Sequence, residues 1–228
     1  MSITSEKKII VALDDPLDYQ EMLAVLDPKK CLIKVGSIIF NYHGRKILDE
    51  VTNHGFEIFF DIKFYDIPNT VAKSINSFKG YPIKLLTIHL SGGRSMIKAA
   101  LDSSNNINAK CIGVSVLTSL SKEESKEVYN QEIPKTISSM FNLANETNID
   151  GVVCSPHELK LAGDLLEDKI KITPGIRLSD ASPDDQSRVM NPKEAIDLGA
   201  TYLVIGRPIT LQKDKASAFE KIYQSIYE

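Results

Sequence analysis

Between positions 61 and 70 the chain reads Asp61-Ile62-Lys63-Phe64-Tyr65-Asp66-Ile67-Pro68-Asn69-Thr70, which sets three charges into a largely apolar run. Alternation along an extended segment puts Asp61 and Lys63 on the same side. Asp66 follows on the loop that Pro68 and Asn69 impose before the next helix, so a third charge is expected beside the first two. A lysine between carboxylates keeps its proton and is suited to general acid catalysis. A carboxylate held near a substrate anion raises the ground state relative to a transition state that it repels less. Asp14 and Lys34 likewise close apolar runs. Burying such charges one at a time is costly, so the set is expected to compensate itself as a network. One such residue alone reads as a solvated strand end; the whole set reads as a site.

A second group of residues suits anion binding. Thr173-Pro174-Gly175-Ile176-Arg177 is followed by Gln186 in a polar stretch and then by Ile205-Gly206-Arg207-Pro208. A glycine lets backbone N–H groups approach an anion, and an arginine offers a planar fork to phosphate oxygens. A Gly-Arg pair by itself is also ordinary turn chemistry, and its meaning depends on what precedes it.

What precedes these residues is a series of eight apolar runs: KKIIVALD, CLIKVG, EIFFDIKF, LLTIHL, KCIGVSVL, GVVCS, KITPGIR and YLVIGRP. They are nearly continuous rather than alternating, as strands covered on both faces are, and this predicts a parallel sheet. Helical patterns separate them, several opening on Pro or on an Asp, Asn or Ser cap: DPLDYQEMLAVLD, residues 38–53, NTVAKSINSF, GRSMIKAALDSS, PKTISSMFNLANE, PHELKLAGDLL, NPKEAIDLGA and ASAFEKIYQSIY. Eight strand-then-helix units predict an α/β fold, a (β/α)₈ TIM barrel spanning residues 1–228 as one domain. An open doubly wound sheet is the alternative, but Asp14-Asp15-Pro16 stands where such a fold carries its glycine-rich turn. In a barrel the charged strand ends share the catalytic rim, and the loops after strands seven and eight are the usual phosphate site.

Bulk properties narrow the function classes. The 228 residues are 43% hydrophobic and 25% charged, the balance of a globular protein with a sizeable core. A net charge of −3 without a basic block argues against nucleic acid as partner. The segment MSITSEKKIIVALDD meets two acids after a short apolar run, so neither a signal peptide nor a membrane helix is expected, and a cytoplasmic location is. Cys31, Cys111 and Cys154 are odd in number and lie in apolar runs, which predicts reduced core thiols. Met22, Met96 and Met140 fall on helical faces as packing residues. His89 reads as a satisfied strand residue, and His43, His54 and His157 carry no catalytic expectation.

The segment from Asp61 to Thr70 resembles the active-site signature of the orotidine 5′-phosphate decarboxylase family. The resemblance extends along the chain through Val11-Ala12-Leu13-Asp14, Ile33-Lys34-Val35-Gly36, Val116-Leu117-Thr118-Ser119, Pro174-Gly175-Ile176-Arg177, Gln186 and Gly206-Arg207. It implies decarboxylation of orotidine 5′-monophosphate to uridine 5′-monophosphate, without metal or cofactor, as the last step of pyrimidine nucleotide synthesis. It assigns Lys34, Asp61, Lys63 and Asp66 to an alternating charged tetrad, with Lys63 the proton donor to carbon 6 and Asp61 facing the substrate carboxylate. Asp14 and Lys34 go to the ribose hydroxyls and Thr118 to the pyrimidine. Pro174 joins the substrate-binding set, with Arg177, Gln186, Gly206 and Arg207 on the phosphate and residues 179–191 as a lid. A homodimer is implied, with Asp66 and Thr70 reaching the neighbouring subunit's site. Departures are small: Asn191-Pro192 stands where relatives often carry Thr-Pro, and Tyr65 falls at a position of expected variation. Two rivals remain open. A magnesium-dependent sugar-phosphate decarboxylase or synthase uses a similar Asp-x-Lys-x-x-Asp pattern on a metal, and a non-catalytic barrel would only bind a phosphate ligand.

Overall fold

The computed structural model describes residues 7–177 and 190–227. Eight parallel strands close on themselves in sequence order: β1 Ile9–Leu13, β2 Cys31–Gly36, β3 Ile58–Phe64, β4 Ile83–His89, β5 Lys110–Val114, β6 Gly151–Val153, β7 Ile170–Thr173 and β8 Tyr202–Ile205. β1 pairs with β2 on one side and with β8 on the other, which makes the sheet a barrel and excludes the open alternative.

Helices cover the outside of this barrel: α1 Gln20–Val25, α2 Ser37–His43, α3 Lys46–Asn53, α4 Pro68–Asn76, α5 Gly93–Asn106, α6 Lys122–Tyr129, α7 Ile133–Glu146, α8 Leu159–Leu165, α9 Pro192–Asp197, α10 Arg207–Thr210 and α11 Lys215–Tyr227. The stretch 38–53 is two helices, not one, because Gly44 (φ 60°) ends α2 in a conformation that a side chain disfavours. α6 is absent from the sequence reading. Its signal was there in Ser121-Lys122-Glu123-Glu124: the Ser121 hydroxyl accepts from the Glu124 N–H at 3.2 Å, and the Glu124 carboxylate accepts from the Ser121 N–H at 2.8 Å.

Period-two alternation sorts each strand between two cores. Outward residues such as Ile9, Val11, Ile33, Phe60 and Ile88 join the large core beneath the helices. Inward residues Ile10, Leu32, Phe59, Leu85, Ile112 and Ile172 fill the barrel itself. Each such large side chain, fully buried, contributes roughly 1.5–3 kcal/mol. Two residues further along β1 to β4, the same inward parity delivers Ala12, Lys34, Asp61 and Thr87 to the layer above this plug. The barrel interior therefore changes from hydrocarbon to charge within one layer, at the C-terminal ends of the strands.

Cys31, Cys111 and Cys154 are buried free thiols, and burial pushes each up to about 12, so they stay protonated and inert. Met22 and Met96 are buried completely and Met140 nearly so, all in the outer core. Among the described residues no helix is long and apolar enough to cross a membrane.

Candidate active site

A cavity of about 270 Å³ opens above the inner core. Its apolar floor includes Phe59, Val114, Val153, Ile172 and Val204. Its walls divide by strand: Asp14, Lys34, Asp61 and Lys63 come from β1 to β3, while Pro174, Gly175, Arg177, Gly206 and Arg207 come from the ends of β7 and β8. β3 and β7 face each other across an eight-stranded barrel, so Asp61 and Lys63 stand across from the strand that leads to Arg177, while β1 pairs with β8 and brings Asp14 beside Gly206.

The network is continuous. Lys34 Nζ donates to Asp14 Oδ1 at 2.8 Å and lies 4.0 Å from Asp61 Oδ2. Lys63 Nζ donates to Asp61 Oδ1 at 2.9 Å. Side-chain exposure is 13% for Lys34 and 14% for Asp61, against 36% for Lys63 and 57% for Asp14. Alternating signs let the two deepest charges compensate each other with little water to help, as the sequence predicts for Asp14, Lys34, Asp61 and Lys63.

The route by which Lys63 reaches the cavity differs from simple alternation. The β3–β4 register shifts between Phe60, opposite Leu86, and Phe64, opposite Ile88, so four steps on β3 match two on β4. Within this bulge Lys63 adopts φ 52°, a conformation rare for a long side chain. Its backbone N–H donates to the Thr87 side-chain oxygen at 2.9 Å, and the Thr87 hydroxyl donates to Asp61 Oδ1 at 3.0 Å. Bulges beside active sites re-aim a side chain, and this one bends the strand at the lysine.

Asp66 does not stand beside the first two charges within one chain. It is exposed on the loop after β3, does not line the cavity, and makes no ion pair with a described residue. Its carboxylate instead accepts from the Ile67 N–H at 2.6 Å, just before α4 begins at Pro68. Thr70 also lies off the cavity; its N–H donates to the Ile67 carbonyl at 3.0 Å in the first turn of α4. Thr118 lines the mouth beside Leu117, and Gln186, with residues 179–189 of the expected lid, lies outside the described residues.

On the arginine side, Gly206 lets two loops meet. A Cβ there would stand 3.3 Å from Asp14 Oδ2 and 3.5 Å from Ala12 Cβ. The Arg177 guanidinium donates to the Ile176 carbonyl at 2.9 Å and lines the cavity with Arg207.

The sequence reading missed three residues. Ser155 and Glu158, on the 3-10 turn after β6, line the cavity, and Glu158 accepts from the Ser155 N–H at 2.9 Å. Their Ser-x-x-Glu spacing was the available signal. Thr87 gave none, because a threonine inside a strand reads as packing. His89, at the end of β4, is half-buried, shares a 2.9 Å hydrogen bond with Ser91 Oγ, and sits beside the Tyr65 ring with centroids 5.6 Å apart. Burial, with the Lys63 charge adding to it, holds its pKa below the ordinary 6.5.

Residues 7–222 match the family model described as Orotidine 5′-phosphate decarboxylase / HUMPS family. A protein named orotidine 5′-phosphate decarboxylase from Laribacter hongkongensis (strain HLHK9) is 41% identical over 219 residues, covering 94% of this chain and 90% of its own. One of the same name from Coxiella burnetii (strain RSA 331 / Henzerling II) is 39% identical over 229 residues and covers 97% of both chains. The crystal structure of orotidine 5′-phosphate decarboxylase from Lactobacillus acidophilus superposes with a TM-score of 0.85 at 31% identity, covering 98% of this chain and 100% of the other. With its barrel and its cavity already described, this chain belongs to the orotidine 5′-phosphate decarboxylase / HUMPS family.

Proposed function

We propose that this chain decarboxylates orotidine 5′-monophosphate to uridine 5′-monophosphate, acting as a single barrel domain. The observation that carries the reading is the Lys63–Asp61 pair, 2.9 Å apart on one wall of the cavity that Arg177 and Arg207 line on the other. A nucleotide laid across this space puts its phosphate on the arginines and its base over the network.

The chemistry then follows from charge. When the bond from carbon 6 to the carboxylate breaks, its electron pair stays on carbon 6 and carbon dioxide leaves. No adjacent group of the pyrimidine delocalises that pair. The Lys63 ammonium, fixed before the substrate arrives, stabilises the developing charge and delivers its proton to carbon 6. Asp61 faces the departing carboxylate, and its repulsion falls as the carboxylate becomes neutral carbon dioxide. Asp14 and Lys34 hold the ribose hydroxyls, and Thr118 and Pro174 bound the base. Arg177, Gln186, Gly206 and Arg207 hold the phosphate, whose binding energy is used at the reacting carbon.

The placement of Asp66 and Thr70 off their own chain's cavity supports a homodimer in which they complete the partner's site. A cytoplasmic location and no bound metal or cofactor complete the reading.

The test follows the fall in ultraviolet absorbance of orotidine 5′-monophosphate with excess EDTA present, for wild type and Lys63→Ala. Rapid loss with wild type and almost none with the variant is expected. No loss with wild type would return the reading to a magnesium-dependent sugar-phosphate enzyme or a silent binder. Orotidine without its phosphate should suffer in turnover as well as in binding; equal rates for nucleoside and nucleotide would refute the role given to the phosphate.

A further inference from the structure

Thr87 has no place in the chemistry above, yet its side chain is fully buried and bonded to both residues of the central pair. A hydroxyl has one proton to donate and lone pairs to accept with. The Asp61 carboxylate can only accept, so the Thr87 proton goes to Asp61 Oδ1, 3.0 Å away. That leaves a lone pair for the Lys63 backbone N–H at 2.9 Å. Lys63 Nζ returns to the same Asp61 oxygen at 2.9 Å and closes a ring that holds the lysine at both its backbone and its ammonium.

We infer that Thr87 is a positioning residue that fixes the Lys63–Asp61 pair in its working geometry through this ring. Two observations make the ring more than packing. Lys63 sits at φ 52° inside a bulge, where its N–H takes a side-chain oxygen as partner. Such a conformation persists only when its surroundings over-determine it. Asp61 Oδ1 is also engaged by two donors while Oδ2 is directed to Lys34 at 4.0 Å, so the ring settles which oxygen is committed and which remains for the cavity side. Valine at position 87 would keep the shape, strand a buried N–H, and leave Asp61 free to rotate about χ2.

The inference rests on the proposed decarboxylation for its kinetic arm and stands apart from it for its structural arm. With orotidine 5′-monophosphate, Thr87→Val is expected to lower kcat by about tenfold to a hundredfold, as small misplacements of reacting groups do. KM should stay within about threefold, because the phosphate wall is untouched. Thr87→Ser, which keeps the hydroxyl, should restore kcat to within about threefold of wild type. In the ligand-free protein the Lys63 amide should exchange with solvent about tenfold faster or more in Thr87→Val, and at the wild-type rate in Thr87→Ser. An unchanged kcat in folded Thr87→Val, or equal kcat losses in the Val and Ser variants, would overturn the inference. If wild type leaves the nucleotide intact, the proposed function fails, and exchange alone decides the ring: acceleration confined to Val upholds it, and equal rates in all three proteins remove it. Should Thr87→Val not fold, Thr87→Ala carries the same comparison.

Discussion

The two walls of the cavity are built on different plans. On the β1–β4 side the charges sit on strands or at their ends, alternate in sign and bond to one another, so that Lys34, Asp61 and Lys63 are committed before any ligand arrives. On the β7–β8 side Arg177 lies beyond its strand and Arg207 opens α10, both offering positive charge to the same space. A wall whose charges are already matched gains little from binding but presents fixed dipoles to a transition state. A wall that offers guanidinium forks is suited to holding an anion. On the proposed function the division separates chemistry from grip, and substitutions on the two walls should fail differently.

Lys63→Ala gives the largest expected effect, a fall in kcat of about 10⁴-fold, since both the proposed proton donor and the charge opposite Asp61 disappear. Steady-state rates with the nucleotide measure it, and a loss confined to KM would break the contrast. Arg207→Ala should come next, with kcat/KM down about a hundredfold for the nucleotide and almost unchanged for the nucleoside lacking the phosphate. Equal losses on both substrates would place Arg207 outside the gripping wall. Gly206→Ala should sharpen the comparison, because its Cβ would meet Asp14 Oδ2 at 3.3 Å and so connect the two walls. A fall of about tenfold in kcat/KM is expected, with the nucleoside affected as well, since the proposed function puts Asp14 on the ribose.

The smallest effect concerns pH. His89 binds its proton less readily in the folded chain than its ordinary 6.5, first because of burial and then because of Lys63. Below that value the unfolded chain takes up the proton sooner, so protonation favours unfolding and stability is lost as pH falls through the folded pKa. Thermal midpoints of wild type should therefore drop more steeply than those of His89→Gln between about pH 7 and about pH 5. Parallel curves would show that neither burial nor Lys63 disfavours the proton on the ring.

The two walls were also unequally legible from sequence. Strand number, order and barrel closure follow from apolar runs whose physics is local, and the eight runs became the eight strands. Asp14, Lys34, Asp61 and Lys63 were visible as charges where hydrocarbon was due. Thr87 was not, because its role exists only once β3 and β4 are side by side and out of register. Asp66 was misplaced for a related reason: closeness in sequence suggested closeness in space, while the loop leaves its carboxylate on the Ile67 N–H. α6 was overlooked because its exposed, charged sequence has a weak apolar stripe, although its capping residues announced it.

The positive φ of Lys63 also bears on how the sequence can drift. Glycine would occupy that backbone conformation without the cost a side chain incurs, on the order of 1 kcal/mol or more. Glycine at position 63 would ease the backbone but remove the ammonium that bonds Asp61, so at this one residue stability and the charged pair pull in opposite directions.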